Sequence, residues 1–484
     1  MNLPRIFFYL AVTSLCTSVS AGTFTPEQVL QRVIDHYPSI KTAAIQVERA
    51  RQSIKVANSQ LAWQLGAQAG IERGVGLFGT TSDTVNLSAG VSRMLDSGSS
   101  LSFDAGVRYE DSETVFSPSI PDPATATNFG VSYRQPLAKN QVYSSFQQAK
   151  DAANIELESS KAEREELYDQ LALNVIDLYF SAAVLLSKIK NVEQSIERTK
   201  RLQRHINNKT TLGVAEEKDI LQVNAQLDLL LAEKSNLKIS WMQQMVALNR
   251  LMERPWDSTI AISYKIMAIK NDTDAMFLQA EKYSPRIKLI NSKLSLADSI
   301  IRTRRDERED SLDLVLFAGG QNYQGDTLTG STSETELTGG LKLEFNQTLD
   351  KSGVDAILYQ AQLDRGVILQ ERKLLLEDLN YNLSSLIAEL KANRVALAAF
   401  EKSLQSETIK INEAMKRYRS GRINTDVIIK FEDQLSQAKF SLELQRISLI
   451  QRHYKLQIML GNIWNEVKKP IVHGSLINTK EGVQ

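Results

Sequence analysis

Few residues of this 484-residue chain are placed to do covalent or metal chemistry. Its four histidines, His36, His205, His453 and His473, are scattered and never stand at ligand spacing, so no metal is expected. No Ser/His/Asp order, phosphate-cradling glycine loop or carboxylate pair in a cleft-like context is present, which argues against an enzyme and against a bound cofactor. Charge runs such as 302–310 read as solvated helix faces. With 57 basic and 57 acidic residues the net charge is zero, which gives no reason to expect nucleic acid as a partner. The distinctive residues are instead two glycines, Gly213 and Gly421, at breaks between long apolar-periodic runs. A residue without Cβ can take positive φ there and lets another backbone approach, so each glycine either closes its turn or seats a partner.

The elements that carry these glycines are helices. A helical pattern runs from about Asn140 to Met252 and breaks only at Thr211-Leu212-Gly213. Within it Leu171, Leu178, Leu185 and Val192 recur every seven residues, as do Val175, Ala182, Ile189 and Ile196, which is a heptad seam. An arm of roughly 70 residues at ~1.5 Å per residue would be on the order of 100 Å long. Its apolar stripe must be covered by other rods, from this chain or from copies of it.

The same stretch occurs twice. Gly213, Ile220, Leu221, Gln226, Leu227 and Leu248 are answered 208 positions later by Gly421, Ile428, Ile429, Gln434, Leu435 and Leu456. Upstream, Gln135, Leu137 and Lys139 match Gln347, Leu349 and Lys351 at a spacing of 212, and the difference of four is about one helical turn. A period this long implies two copies of one large supersecondary unit.

Ahead of each copy the period changes. Residues 1–21 read as a secretory signal, with Arg5, an apolar core from Ile6 to Leu15 and a small-x-small ending at Val19-Ser20-Ala21. Lipid attachment at Cys16 is disfavoured by the bulky Leu15 before it. Thr25 and Pro26 start a short helix to about His36, and Pro38 opens a second to about Leu61. Alternating patterns then run through Trp63–Ile71, Val85–Val91, Leu101–Tyr109 and Phe129–Tyr133, with Asp96-Ser97-Gly98-Ser99 as a tight turn and 74–83 and 111–127 as long polar loops. The second copy offers strands over 311–321 and 336–345, so the first carries an additional hairpin. One face of each strand is apolar and the other rich in Gly, Ser and charge, which suits a soluble sandwich or a transmembrane barrel. Strand length, alternating short and long loops and the export signal favour the barrel, which also removes edges a membrane sheet could not tolerate. Four to six strands cannot close one alone, so more than one chain is needed. No later segment offers about 20 consecutive apolar residues, so no transmembrane helix is expected.

The duplicated order of helix, helix, strands, long helix and helix resembles the TolC type of outer-membrane efflux protein. The most specific marks are Tyr133-Arg134-Gln135-Pro136-Leu137, the hairpin Tyr418-Arg419-Ser420-Gly421-Arg422 leading into Asp426-Val427, and the ending Leu460-Gly461. The resemblance implies a homotrimer, with a barrel in the outer membrane and a helical tunnel across the periplasm. It also implies helical tips that meet a periplasmic adaptor protein coupled to an inner-membrane pump. Thr211, Leu212, Gly213 and Val214, with Ser420, Gly421, Arg422 and Ile423, would then form the adaptor-facing rim. The family's acidic narrowing would fall on Val427 and Lys430, neither of them acidic, and on Asp219 and Gln222 in the first copy. With Asp426, these make Asp219, Gln222, Asp426 and Lys430 the candidates for a constriction. The family pattern has four strands per protomer where this chain offers six, so the added hairpin, 84–109, widens the barrel, folds into its mouth or stays outside.

The expected fold class is therefore an α+β membrane protein: a trimeric transmembrane β-barrel continued by a long α-helical coiled-coil periplasmic tunnel, built from two tandem repeats. The expected divisions are a signal peptide at 1–21, a first repeat at 22–253, a connector at 254–272, a second repeat at 273–464, its last helix ending at Trp464, and a polar tail at 465–484. The function expected is an outer-membrane conduit in tripartite efflux or type I secretion. The alternative is a periplasmic coiled-coil scaffold without a pore.

Overall fold

Thr25 decides where the first helix begins. Its side chain accepts the backbone N–H of Gln28, its own N–H donates to the Gln28 side chain at 2.9 Å, and Pro26 takes the first helical position. The computed structural model describes residues 23–75, 81–112, 121–211, 216–263, 273–327 and 329–467. The leader at 1–21 with Cys16, the rim residues Leu212, Gly213 and Val214, His473 and the tail beyond 467 lie outside the described residues.

The first pass along the chain gives β1 (Thr23–Phe24), α1 (Pro26–His36), α2 (Pro38–Ser59), β2 (Gln64–Val75), β3 (Thr81–Met94), β4 (Ser100–Ser112), β5 (Ala124–Pro136), α3 (Ser145–Thr211) and α4 (Glu217–Leu251). The second gives β6 (Ala261–Ile262), α5 (Thr273–Tyr283), α6 (Pro285–Arg308), β7 (Ser311–Thr327), β8 (Gly330–Asn346), α7 (Ser352–Arg419) and α8 (Thr425–Met459). The long helices have 67 and 35 residues in the first pass and 68 and 35 in the second. By internal contacts the chain forms two compact units, one from the described parts of Met1–Ile40, Leu167–Tyr283 and Leu379–Ile471, the other from those of Lys41–Glu166, Ser284–Asp378 and Val472–Gln484.

The first unit is helical, and the heptad seam is its core. Leu171, Val175, Ala182, Ile189, Val192 and Ile196 are buried, the first three in a cluster with α1, α4 and α8 and the others against Leu230 and Leu237 of α4. Helix α3 does contain a stretch long and apolar enough to cross a membrane, contrary to the expectation of none. Its Val175, Ile176, Tyr179 and Phe180 have no exposed surface and pack inside this unit, so here it is a core helix. One feature had no signal in the pattern: β1 pairs in parallel with β6 inside the expected connector. The hydroxyl of Tyr179 ties that pair down, 2.7 Å from the carbonyls of both Phe24 and Ser263.

At its C-terminus α8 stops at Met459 rather than running to Trp464. Gly461 takes φ 72° and an added Cβ would meet the Tyr283 ring at 2.3 Å, so the helix turns there and Trp464 falls in a short 3-10 turn. The indole N–H of Trp464 then donates to Asp169 at 3.0 Å.

The second unit holds one six-stranded antiparallel sheet in the order β2-β3-β4-β5-β7-β8. The strands run further than the alternation suggested, to between 12 and 17 residues, and take in both ends of each segment read as a long polar loop. Polar residues continue the ladder there because their side chains can stand off the sheet in water while the backbone pairs, as at Asp83 with Asp111, both exposed. The added hairpin, β3 and β4, lies between β2 and β5, with Thr81–Ser92 paired to β2 and Ser100–Glu110 to β5.

Candidate functional site

Two surfaces carry the functional reading, one in each unit. In the helical unit it is the turn between α7 and α8. Gly421, at φ 70°, donates its N–H to the Tyr418 carbonyl at 3.0 Å, and Arg422 donates to Arg417 at 2.9 Å. Those two bonds are the paired closure that ends a helix in a left-handed residue, so Gly421 is required by the turn itself. An added Cβ at Gly421 would meet nothing within 4 Å, which leaves the turn open to an outside contact. Ser420, Gly421 and Arg422 are exposed and Ile423 is half-buried. Thr211, the described member of the other rim, is exposed at the end of α3 and its hydroxyl donates to Asn207 at 3.0 Å.

Behind the turn, Leu202 and Ile206 of α3, Val223 of α4, Ala414 and Tyr418 of α7 and Ile428 of α8 form one buried cluster, so both helical hairpins end side by side. Burial raises the pKa of the Tyr418 phenol, which shares a hydrogen with Thr425 at 3.1 Å and feels the charge of Asp219. Lys218 is held above its ordinary value by a hydrogen bond to Glu216 and then by that residue's charge, with smaller contributions from Asp219 and Asp426. Asp219, six residues after Gly213 in the sequence, and Asp426, five after Gly421, are thus neighbours of one ammonium group. Asp219 is half-buried; Gln222, Asp426 and Lys430 are exposed.

A polar layer lies deeper along the same helices. The guanidinium of Arg198 pairs with Glu432, Asn191 donates to the Ser436 hydroxyl at 2.8 Å, and Ser195 donates to it at 3.1 Å. Gln203 reaches Asn224 at 2.6 Å and Gln226 reaches Asp433 at 3.1 Å. A signal for it existed. Continuing the two heptad series beyond Val192 and Ile196 lands on Thr199 and Gln203, both polar, where the seam changes from apolar packing to hydrogen bonds.

In the sheet unit the surface is a belt. Paired residues share a face, so the row Leu65, Val91, Phe103, Val131, Ala318 and Gly339 crosses all six strands on one side. Leu65, Leu87, Phe129, Leu337, Leu341 and Leu343 on that side are each more than half exposed in the single chain. The opposite side carries seven carboxylates, Glu72, Asp104, Glu110, Asp313, Glu334, Glu336 and Glu344, against Arg108, Arg134 and Lys342. Arg134 bridges Asp313 at 3.0 Å and Glu344 at 2.7 Å across β5, β7 and β8. Among the described residues the outer strands β2 and β8 each have one partner in the sheet.

A chain that joins an antiparallel sheet with an exposed apolar belt to two pairs of very long helices shares its fold with solved outer-membrane channels. The crystal structure of the outer membrane protein VceC from Vibrio cholerae superposes with a TM-score of 0.65 at 14% identity, covering 90% of this chain and 96% of that one. The CmeC outer membrane channel of Campylobacter jejuni gives 0.61 at 15%, covering 98% of both chains. The open state of the MtrE outer membrane channel of Neisseria gonorrhoeae gives 0.64 at 14%, covering 92% of this chain and 90% of that one. No curated protein matches the chain by sequence. Residues 29–253 match the family model of the outer membrane efflux proteins. The chain is thus similar to the outer membrane efflux proteins by sequence over those residues, and to solved outer-membrane channels by fold over nine-tenths of its length or more.

Proposed function

We propose that the chain is one protomer of a homotrimeric outer-membrane channel that conducts substrates from a periplasmic adaptor and inner-membrane pump to the exterior, in tripartite efflux or type I secretion. The observation that carries this reading is the sheet: its exposed apolar belt needs lipid, and its two unpaired outer strands need partners. Six strands alternate in direction, so β8 of one copy would meet β2 of the next antiparallel, and three copies would close a barrel with no edge. The helices would form the periplasmic tunnel, and exposed apolar residues of α7 such as Ile357, Leu363 and Val367 would be covered by a neighbouring copy. In this reading 1–21 is a signal peptide, 22–253 and 273–464 are tandem repeats joined by a connector at 254–272, and 465–484 is a C-terminal tail. The rim made by Thr211, Leu212, Gly213, Val214, Ser420, Gly421, Arg422 and Ile423 would dock the adaptor, with Asp219, Gln222, Asp426 and Lys430 lining the narrow end. The test is the mass of the purified mature protein in mild detergent by light scattering, with its conductance in planar bilayers. A trimer that forms channels supports the reading; a monomer, or an assembly that never conducts, leaves the pore-free scaffold instead.

A further inference from the structure

Resting on that reading, we infer that the added hairpin β3 and β4 is barrel wall, so that the assembly encloses a wide, acid-lined, water-filled exit able to pass bulky hydrophilic cargo. The hairpin has its own membrane signature. On its apolar face no charge intervenes between Arg93 at one end of β3 and Asp83 at the other. Their separation of ten residue steps spans about 34 Å along a strand, or ~26 Å in depth at a tilt near 40°, which matches an apolar band of about 25 Å. At its far end Asp83 pairs with Asp111 in the ladder and lies 3.6 Å from Arg73, a polar boundary shared by three strands.

The belt also crosses the sheet at the slope a closed barrel needs. On β2 the apolar run Leu65–Ile71 centres on Gln68, whose row continues through Ser88, Gly106, Asn128, Gln321 and Glu336. On β8 the run Leu337–Phe345 centres on Leu341, five residues beyond that row. Five residues are about 17 Å along a strand and five strand spacings about 24 Å across, an angle of ~35°, the tilt of strands in membrane barrels. A belt level with the membrane therefore runs through all six strands, with the hairpin among them.

Width follows from strand number. At about 4.8 Å between strands and ~40° of tilt, 18 strands stand on a radius of about 18 Å, and 12 strands, four per copy, on about 12 Å. The inward side is small along one row, with Gly66, Gly90, Gly130 and Gly319 beside Asp104, and seven acidic against three basic residues give it a net −4 per copy. A wide anionic lumen favours hydrated cationic or bulky polar cargo over anions.

The test uses the full-length protein with Cys16→Ser, assembled in vesicles. Electron cryomicroscopy of the assembly should show 18 strands, Ser88→Cys should react with a membrane-impermeant maleimide, and Leu87→Cys should not. Neutral polymers added from the barrel side should enter the wild-type channel up to about 1.5 times the hydrodynamic size admitted by a variant lacking residues 76–112, in proportion to the two radii. A trimeric, conducting channel with 12 strands, or with both cysteines labelled, overturns the inference and leaves the proposed function standing. A protein that neither trimerises nor conducts overturns the proposed function itself.

Discussion

The sharpest contrast available in the sheet is between two adjacent residues, Leu343 and Lys342. Leu343 pairs with Leu314 on the apolar side of β8 and is 60% exposed, whereas Lys342 pairs with Val315 on the polar side. Leu343 stands two residues from Leu341, the centre of its apolar run, which is about 7 Å along the strand and ~5 Å in depth once tilt is included. An arginine at the midplane of such a barrel costs ~2 to 4 kcal/mol and less toward the interfaces. Leu343→Arg is therefore expected to cost about 2 kcal/mol per copy, and on the order of 6 kcal/mol in a three-copy assembly, where 1.4 kcal/mol is already tenfold. Lys342→Ser removes only an exposed ion pair to Glu344 at 2.8 Å, worth about 0 to 1 kcal/mol, and Glu344 keeps Arg134. The assay is the amount of assembled trimer in the outer-membrane fraction, or the yield of folding from urea into lipid vesicles. Leu343→Arg should lower it by at least tenfold and Lys342→Ser should leave it near wild type. Equal tolerance at the two positions would refute the membrane placement of this face, and with it the barrel.

Gly421→Trp strains the left-handed turn by about 1 to 2 kcal/mol but puts its side chain in open space, so the trimer should still assemble and reach the membrane while export is lost; normal export at wild-type abundance would sink the docking rim. Asp219→Ala removes a carboxylate at the ends of the helical hairpins and should change single-channel conductance or cation preference in planar bilayers, and unchanged values would remove Asp219 from the constriction. His453 is 4% exposed, and burial first, then the nearby charge of Arg394, lowers its pKa, so the neutral ring is the form that fits. With a folded pKa below the unfolded value of about 6.5, its contribution holds above that pH and is lost as pH falls through it. His453→Gln should accordingly show a shallower fall in thermal stability from pH 7 to pH 5 than the wild type, and identical slopes by calorimetry would count against a buried neutral His453.

Much of this protein is local information, and local information is written in the chain. Thr25 and Pro26 start α1 and Pro38 starts α2, because caps and proline act within one turn. The heptads of α3 name their own buried face, and strict alternation names the two faces of every strand, since both follow from the geometry of a single element. What the alternation could not say is where its strands end or whom they pair with. The row from Leu65 to Gly339 is a property of six strands brought into register by long-range pairing, and the place of the β3 and β4 hairpin between β2 and β5 exists only in that sheet. The same holds at the tips. Gly421 could be read from the sequence as a turn, but the neighbourhood of Asp219, Asp426 and Lys218, like the pairing of Arg198 with Glu432, joins residues more than 200 positions apart. Their meeting depends on how α3, α4, α7 and α8 pack, and no periodicity within one helix encodes the rotation of another against it.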